Sequence, residues 1–210
     1  DDRIAAASRE FGADVVMTSD KCVNGTERCA EAYQLLGGGH EFIVNLQGDA
    51  PLTPPWFIEY LVRELGQAAD ASLATPVLRC TGQMLADLKA DRQEGRVGGT
   101  TAVFDSQKRA LYFSKEVIPF TSAPYPTDQP SPVFHHVGVY AYRPGPLMDY
   151  PEWPAGPLEQ LEGLEQLRFL EHGHAVQCVE VDARGKSFWE LNNPEDVVRL
   201  AAMMAKLGMH

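Results

Sequence analysis

The sequence is short of positive charge, and its cations do not cluster. Its 210 residues include 18 lysines and arginines against 29 aspartates and glutamates, a formal net charge of −11. A chain without a basic patch is a poor partner for nucleic acid phosphates, so we expect no nucleic-acid partner. No apolar run approaches the roughly 18 residues of a membrane span, and the opening Asp1-Asp2-Arg3 lacks a signal-peptide pattern. We therefore expect a cytoplasmic protein without a membrane partner.

Cysteines and glycine-rich phosphate loops are also scarce. The four cysteines, at positions 22, 29, 80 and 178, form no C-x-x-C pair, which argues against a zinc or redox motif. We expect reduced thiols, with a disulfide between Cys22 and Cys29 as the less favoured alternative. Neither G-x-G-x-x-G nor G-x-x-x-x-G-K-[ST] occurs. A nucleotide enzyme with this sequence needs a phosphate loop of another kind or one outside this chain.

The apolar patterning predicts one α/β domain over residues 1–210. Strands are predicted at 14–18, 42–46 and 71–78, alternating with helices at 4–11, 26–36 and 54–65. This β-α-β rhythm favours a parallel sheet covered by helices. Residues 95–140 look different, with a hairpin at 100–113 and a strand at 135–142, and predict an antiparallel insertion. A helix at 161–172, a strand at 175–181 and a helix at 194–207 follow.

One polar motif follows the clearest predicted strand. Gln47, Gly48 and Asp49 come directly after the apolar stretch FIVNL, and ligands of open α/β folds bind where strands end. The carboxylate of Asp49 is a hard oxygen ligand of the kind that suits Mg²⁺. In the alternative interpretation, Asp49 only caps the helix that begins near Pro54.

A second polar turn, NGTER at residues 24–28, leads into a predicted helix. Free N–H groups at a helix start suit an anion or the polar edge of a base. On spacing alone, the favoured interpretation is simpler: Thr26 caps the helix.

A third motif, HHVGVY, begins at residue 135. Strand alternation places His136, Gly138 and Tyr140 on one face, where a polar ligand has room above the glycine. Ordinary polar residues of an edge strand would give the same pattern. Zinc is not expected, because no carboxylate or cysteine stands at ligand spacing.

Two further polar segments lie in the last third of the chain. The helical stretch LEQLEGLEQLR places Glu162, Glu165 and Gln166 close together, a pattern also typical of a solvated helix face. Asn193 precedes Pro194 at a predicted helix start.

Taken in order along the chain, these motifs resemble the 3-deoxy-manno-octulosonate (KDO) cytidylyltransferases. The family pattern reads S-G-T-[DE]-R, V-N-[VL]-Q-G-D-x-P, A-L-Y-F-S-R-x-x-I-P, H-[IL]-G-[IVL]-Y-A-Y, L-E-x-L-E-Q-L-R and D-x-P-E-D. The present sequence reads NGTER, VNLQGDAP, ALYFSKEVIP, HVGVYAY, LEGLEQLR and NNPED. Each block alone is weak evidence, but all of them in one order across nearly the whole chain make a specific match.

The resemblance implies a fold and a reaction. The fold is α/β and nucleotide-diphospho-sugar transferase-like: a three-layer sandwich with a mixed, mostly parallel sheet and an antiparallel arm that pairs two subunits into a homodimer. The reaction joins CTP to KDO, giving CMP-KDO and pyrophosphate for lipopolysaccharide synthesis. Positioning and charge neutralisation by Mg²⁺ supply most of the catalysis.

The resemblance also implies roles for individual residues. Asp49 corresponds to a magnesium ligand, Asn192 stands at the position of another, and Gln47 and Lys115 join Asp49 at the catalytic centre. The implied sugar-acid pocket consists of His136, Tyr140, Glu165 and Gln166. The implied cytidine site consists of Asn24, Gly25, Thr26 and Arg28.

Three departures from the family pattern have consequences. The family has an earlier strand and a loop of pattern P-A-R-x-x-S-x-R-x-P-x-K-P that supplies cations for the triphosphate, so we expect the chain as written not to catalyse. Asn192 replaces an aspartate, and a neutral amide should lower the affinity for metal. Lys115 replaces an arginine and loses the bidentate fork for a carboxylate. Two alternatives therefore stay open: a divergent enzyme for another ulosonic acid, and a non-catalytic protein that binds nucleotide or sugar.

Overall fold

The computed structural model describes residues 1–97, 99–185 and 196–206. Its helices are α1 (Asp2–Glu10), α2 (Gly25–Leu35), α3 (Pro55–Gln67), α4 (Gly82–Gln93), α5 (Pro144–Asp149), α6 (Pro157–Glu162), α7 (Gln166–Glu171) and α8 (Asp196–Lys206). Its strands are β1 (Ile43–Leu46), β2 (Ala71–Thr81), β3 (Thr100–Phe104), β4 (Ala110–Ser114), β5 (Pro130–His136), β6 (Val139–Tyr142) and β7 (Ala175–Glu180). None of the helices described is long and apolar enough to cross a membrane.

The described strands form one sheet, which is mixed but mainly antiparallel. Its order is β1–β6–β2–β5–β3–β4, with β7 paired to β2 outside this path. Within the described ranges only β2 and β7 pair in parallel, so the prediction of a mostly parallel sheet is wrong. The β-α-β rhythm did predict the relative direction of β1 and β2 correctly, because these two strands, which precede and follow α3, run in the same direction. The antiparallel strand β6 lies between them, and local periodicity does not reveal which strands become neighbours.

Helices cover both faces of this sheet, because alternate strand residues face opposite sides. On one face, Leu61 of α3 packs in a core with Val139 and Ala141. On the other, Phe169 of α7 packs in a core with Tyr142. The three layers expected from the resemblance are therefore present.

The segment at 95–140 is antiparallel, as predicted, but it continues the central sheet. Strands β3 and β4 form the hairpin, whose turn is closed by hydrogen bonds from the backbones of Gln107 and Arg109 to the Asp105 carboxylate. Strand β3 also pairs with β5, which pairs with β2. A role of this segment in pairing two subunits stays a prediction.

Three predicted elements differ from the structure. Residues 14–18 form no strand with any described part of the chain. The strand predicted at 135–142 is divided between β5 and β6. The helix predicted at 161–172 is divided at Gly163, whose φ of +63° is the left-handed conformation that ends a helix. This break places Glu165 and Gln166 at the start of α7, which faces the site.

Candidate functional site

The turn at residues 24–28 is fastened to two other elements. Asn24 caps α2, since its Oδ1 accepts a hydrogen bond of 2.9 Å from the N–H of Glu27; the interpretation of Thr26 as the cap is wrong. Thr26 is buried instead, with its hydroxyl 2.8 Å from the Tyr142 hydroxyl on β6. Its N–H donates to Oε2 of Glu165, at the start of α7, over 2.7 Å. The turn, the sheet and α7 therefore meet at Thr26.

Arg28 fixes the loop that precedes this turn. Its guanidinium donates to the Thr18 hydroxyl over 2.5 Å and to the carbonyl oxygens of Ser19 and Cys22 over 3.3 Å each. The Glu31 carboxylate holds the same loop, accepting from the Ser19 N–H over 3.0 Å and from the Cys22 thiol over 2.9 Å. The cysteines of the described structure are free thiols, so the disulfide alternative is wrong.

Gly25 lets the turn lie directly against the end of β1. A Cβ built at this position would lie 3.0 Å from Nδ2 of Asn45 and 3.0 Å from Nε2 of Gln47. It would also lie 3.4 Å from Oε1 of Glu165. A side chain here would have to displace polar groups of the predicted site, so the close approach favours glycine.

The carboxylate of Glu165 is the point where these elements converge. It accepts the hydrogen bond from the Thr26 N–H and another of 3.2 Å from Nε2 of Gln47. Burial raises the pKa of Glu165 above its ordinary value, although both hydrogen bonds favour the charged form. The structure therefore brings together three residues that the sequence predicted as site residues from three separate motifs.

Two buried amide groups next to Glu165 have unused donors. Gln166 is 1% exposed; its Oε1 accepts from the Tyr140 hydroxyl over 3.2 Å, but its Nε2 has no acceptor in the described part of the chain. The Nδ2 of Asn45, which is paired in register with Tyr140, likewise has none there. A buried unsatisfied donor costs about 1–3 kcal/mol, so such groups mark where a ligand acceptor is expected.

Asn45 was not among the predicted site residues. The signal was available, because Asn45 and Gln47 are two residues apart in the VNLQGD motif and therefore share a strand face.

His136 lies beside Tyr140, and a threonine hydroxyl contacts each nitrogen of its ring. Its Nε2 lies 2.9 Å from the Thr75 hydroxyl, and its Nδ1 lies 3.0 Å from the Thr100 hydroxyl. Its ring centroid is 5.7 Å from that of Tyr140. Burial, and secondarily the neighbouring His135, lower the pKa of His136 to about 3, so the ring is neutral near pH 7. Neither threonine could be identified from the sequence.

Lys115 lies at the corner between α6 and α7. Its N–H donates to Glu162 over 2.8 Å, and this carboxylate also accepts from Ser114 over 2.7 Å and Tyr112 over 3.2 Å. Burial raises the pKa of Glu162, but these hydrogen bonds outweigh it and the net pKa is lowered. The Lys115 Nζ would lie 3.0 Å from a Cβ at Gly163. Glu162 thus anchors β4 instead of joining Glu165 on one helix face.

Asp49 lies half-buried in the turn after β1. It does not cap α3, whose N-cap is Pro54 without a side-chain hydrogen bond, so the capping interpretation is wrong. Across the ranges that the structure describes, no three His, Cys, Asp or Glu residues group as a metal site. Asn192 lies outside the described residues. A single carboxylate would hold Mg²⁺ only together with substrate phosphates and water as the remaining ligands.

Comparison with known proteins identifies the group to which this arrangement belongs. Residues 1–177 match the family described as Cytidylyltransferase. The 3-deoxy-manno-octulosonate cytidylyltransferase of Maricaulis maris is 39% identical over 208 residues, which are 99% of this chain and 79% of that protein. The protein of the same name from Zea mays is 36% identical over 97% of this chain and 64% of its own length.

Solved structures agree with the sequence relatives. CMP:2-keto-3-deoxy-manno-octonic acid synthetase complexed with CTP is 27% identical with a TM-score of 0.80, over 98% of this chain and 78% of that one. HddC from Yersinia pseudotuberculosis, 11% identical with a TM-score of 0.57 over 94% and 72%, shares the fold alone. The fold and these matches together define an α/β nucleotidyltransferase. More particularly, the chain belongs to the cytidylyltransferase family, which confirms the resemblance seen in its motifs.

Proposed function

We propose that the chain belongs to a CTP-dependent enzyme that converts CTP and KDO into CMP-KDO and pyrophosphate. The anomeric oxygen of the sugar acid forms a bond to the α-phosphorus of CTP while the bond from that phosphorus to the β-phosphate oxygen breaks. Pyrophosphate and the hydroxyl proton leave. The names of the relatives and the family match support this reaction.

The observation that carries the proposal is the unused donor of Gln166. This amide, at the start of α7, accepts from the Tyr140 hydroxyl, and it is nearly inaccessible to water. A sugar acid presents carboxylate and hydroxyl oxygens that would accept from the amide, while its hydroxyls would donate to Glu165. The ammonium of Lys115 suits the sugar carboxylate.

On the nucleotide side, we assign the turn at residues 24–28 to CTP. The turn begins α2, whose N-terminal end carries partial positive charge. The Arg28 guanidinium is engaged by the loop at residues 18–22, so we assign it the shaping of that loop.

Asp49 is the residue we propose to hold Mg²⁺, which when bound would neutralise phosphate charge and orient the triphosphate. The protein's own contribution is to place the sugar acid and nucleotide together, which supplies much of the rate in such transfers. The Mg²⁺ requirement, the homodimer, the cytoplasmic location and a metal contact by Asn192 stay predictions.

The test is pyrophosphate release by the full-length protein with CTP, KDO and Mg²⁺, each omitted in turn. Gln166→Met keeps the side-chain volume and removes both polar atoms. We expect it to lower kcat/KM for the sugar acid about 100-fold, within the range of a lost hydrogen bond to charge. Gln160→Met is the matched control, because Gln160 is exposed on α6 and contacts the carbonyl of Ala155.

The outcomes separate the alternatives. Release with another ulosonic acid but not with KDO would move the proposal to a different acceptor. Binding of CTP or sugar acid by calorimetry, with no release for any acceptor, would replace it with a non-catalytic binding protein. Equal activity of Gln166→Met and Gln160→Met would show that Gln166 does not bind the sugar acid.

A further inference from the structure

A buried charged network lies behind the site, and none of its members is among the predicted site residues. Arg168 of α7 is 4% exposed and Glu159 of α6 is 8% exposed. The guanidinium donates to both carboxylate oxygens of Glu159, over 2.6 and 2.7 Å, and over 3.0 Å to Oε1 of Glu27 in the first turn of α2. Arg168 therefore joins α2, α6 and α7 through paired charges.

Tyr150 connects this network to both halves of the site. Its ring lies 4.2 Å below the Arg168 guanidinium, and the residue is fully buried. Its hydroxyl accepts from Nδ2 of Asn24 over 3.0 Å and donates to the carbonyl oxygen of Glu165 over 3.1 Å. The hydroxyl oxygen of Tyr150 thus links Asn24, in the turn assigned to the nucleotide, to Glu165, which is assigned to the sugar acid.

We propose that Tyr150 is a positioning residue, which fixes the distance between the two bound substrates and owes its own placement to Arg168 and Glu159. The inference rests on the proposed function, because it concerns how the two half-sites are held for the same transfer. Tyr150 touches neither substrate; it acts through Asn24 and Glu165.

The buried charges are consistent with a geometric role. Removing Arg168 and Glu159 from water, with Glu27 partly buried, is costly, and apolar side chains of similar size often stabilise a core as well or better. What the ion pairs add is a fixed arrangement of three helices and one tyrosine ring. In group transfer, displacement of a reacting group by about 1 Å can lower the rate about 100-fold, so a fixed arrangement has catalytic value.

The test is a double-mutant cycle in the full-length protein. Tyr150→Phe removes one oxygen atom and keeps the ring under Arg168. Asn24→Ser keeps an oxygen that can cap α2 and removes the Nδ2 donor. Tyr33→Phe is the control, because Tyr33 makes two similar hydrogen bonds, to Gly39 and His40, at the far end of α2.

We expect Tyr150→Phe to lower kcat about tenfold per folded molecule while KM for CTP and for sugar acid changes less than about threefold. The double variant should be no slower than the slower single variant, since both changes break one link. A structural role alone would lower the melting temperature and the folded fraction, and would leave kcat per folded molecule at the wild-type value.

Two results would overturn the inference. One is a kcat for Tyr150→Phe equal to that of Tyr33→Phe; the other is losses that multiply fully in the double variant. If Tyr150→Phe does not fold, the comparison of Asn24→Ser with wild type decides by the same kcat criterion. An inactive wild-type protein would instead contradict the proposed function, which keeps the two failures distinct.

Discussion

The carboxylate of Glu165 accepts a 2.7 Å hydrogen bond from the backbone N–H of Thr26, so the start of α7 is bound to the first turn of α2. The two residues are 139 positions apart in the chain, and each belongs to a different polar motif. A carboxylate at a helix N-terminus is favoured by the helix dipole. The same contact brings the wall assigned to the sugar acid against the turn assigned to CTP.

Replacement of Glu165 by glutamine tests this contact. Glutamine has one acceptor oxygen, whereas both oxygens of Glu165 accept hydrogen bonds, from Thr26 and Gln47. One donor would then face an NH₂ group, and we expect kcat/KM to fall about 10- to 100-fold, the value of one hydrogen bond to charge. Pyrophosphate release measures the effect. Glu180→Gln, at a surface pair with Arg79 and Lys108, is the control; equal losses in both variants would contradict a special role for Glu165.

Replacement of Gly25 by alanine tests the close approach of the turn to β1. The new Cβ would lie 3.0 Å from the amide nitrogens of both Asn45 and Gln47, which would have to move by a few tenths of an ångström. We expect kcat/KM to fall about tenfold, with a change of less than about 1 kcal/mol in the free energy of unfolding. Gly145→Ala in α5 is the control, because nothing lies within 4 Å of a Cβ there. Unchanged kinetics for Gly25→Ala would show that the site tolerates the displacement.

The sequence predicted which polar residues come together better than it predicted the sheet. Gln47, Glu165 and Thr26 stand in short motifs with marked local composition, and they do meet in the structure. Insertion of β6 between β1 and β2 could not be predicted, since strand order depends on long-range pairing and both arrangements have the same local periodicity. Thr75 was missed for a related reason: its role comes only from the cross-strand position that puts its hydroxyl on His136.

The variant Lys115→Met removes the ammonium charge that we assign to the sugar acid and changes the side-chain volume little. The ammonium lies beside Gly163, two residues before Glu165, and we expect its loss to raise KM for the sugar acid about 10- to 100-fold, as for a charge-assisted hydrogen bond. KM for CTP should change little. Lys108→Met, which removes a surface pair with Glu180, is the control. A rise in KM for CTP instead would place Lys115 at the phosphates.

The neutral, buried imidazole of His136 predicts a loss of stability in acid. Its pKa is lowered to about 3 in the folded protein, against about 6.5 in an unfolded chain. The unfolded chain therefore binds the proton more readily, so the stabilising contribution of His136 is complete above about pH 6.5 and is lost as the pH falls from there toward about 3. The slope from this one group is at most about 1.4 kcal/mol per pH unit.

Urea unfolding at a series of pH values between 7 and 4.5 measures this slope. In His136→Gln an amide can still bond to Thr75 or Thr100 but does not titrate. Because it keeps only part of the hydrogen bonding of His136, the variant should be less stable at pH 7. Because its amide does not titrate, its free energy of unfolding should fall less steeply with falling pH than that of the wild type. His40→Gln, at an exposed position, is the control. If His136→Gln keeps the wild-type slope, the acid sensitivity arises from other groups and the imidazole is not the buried neutral ring that its two threonine contacts indicate.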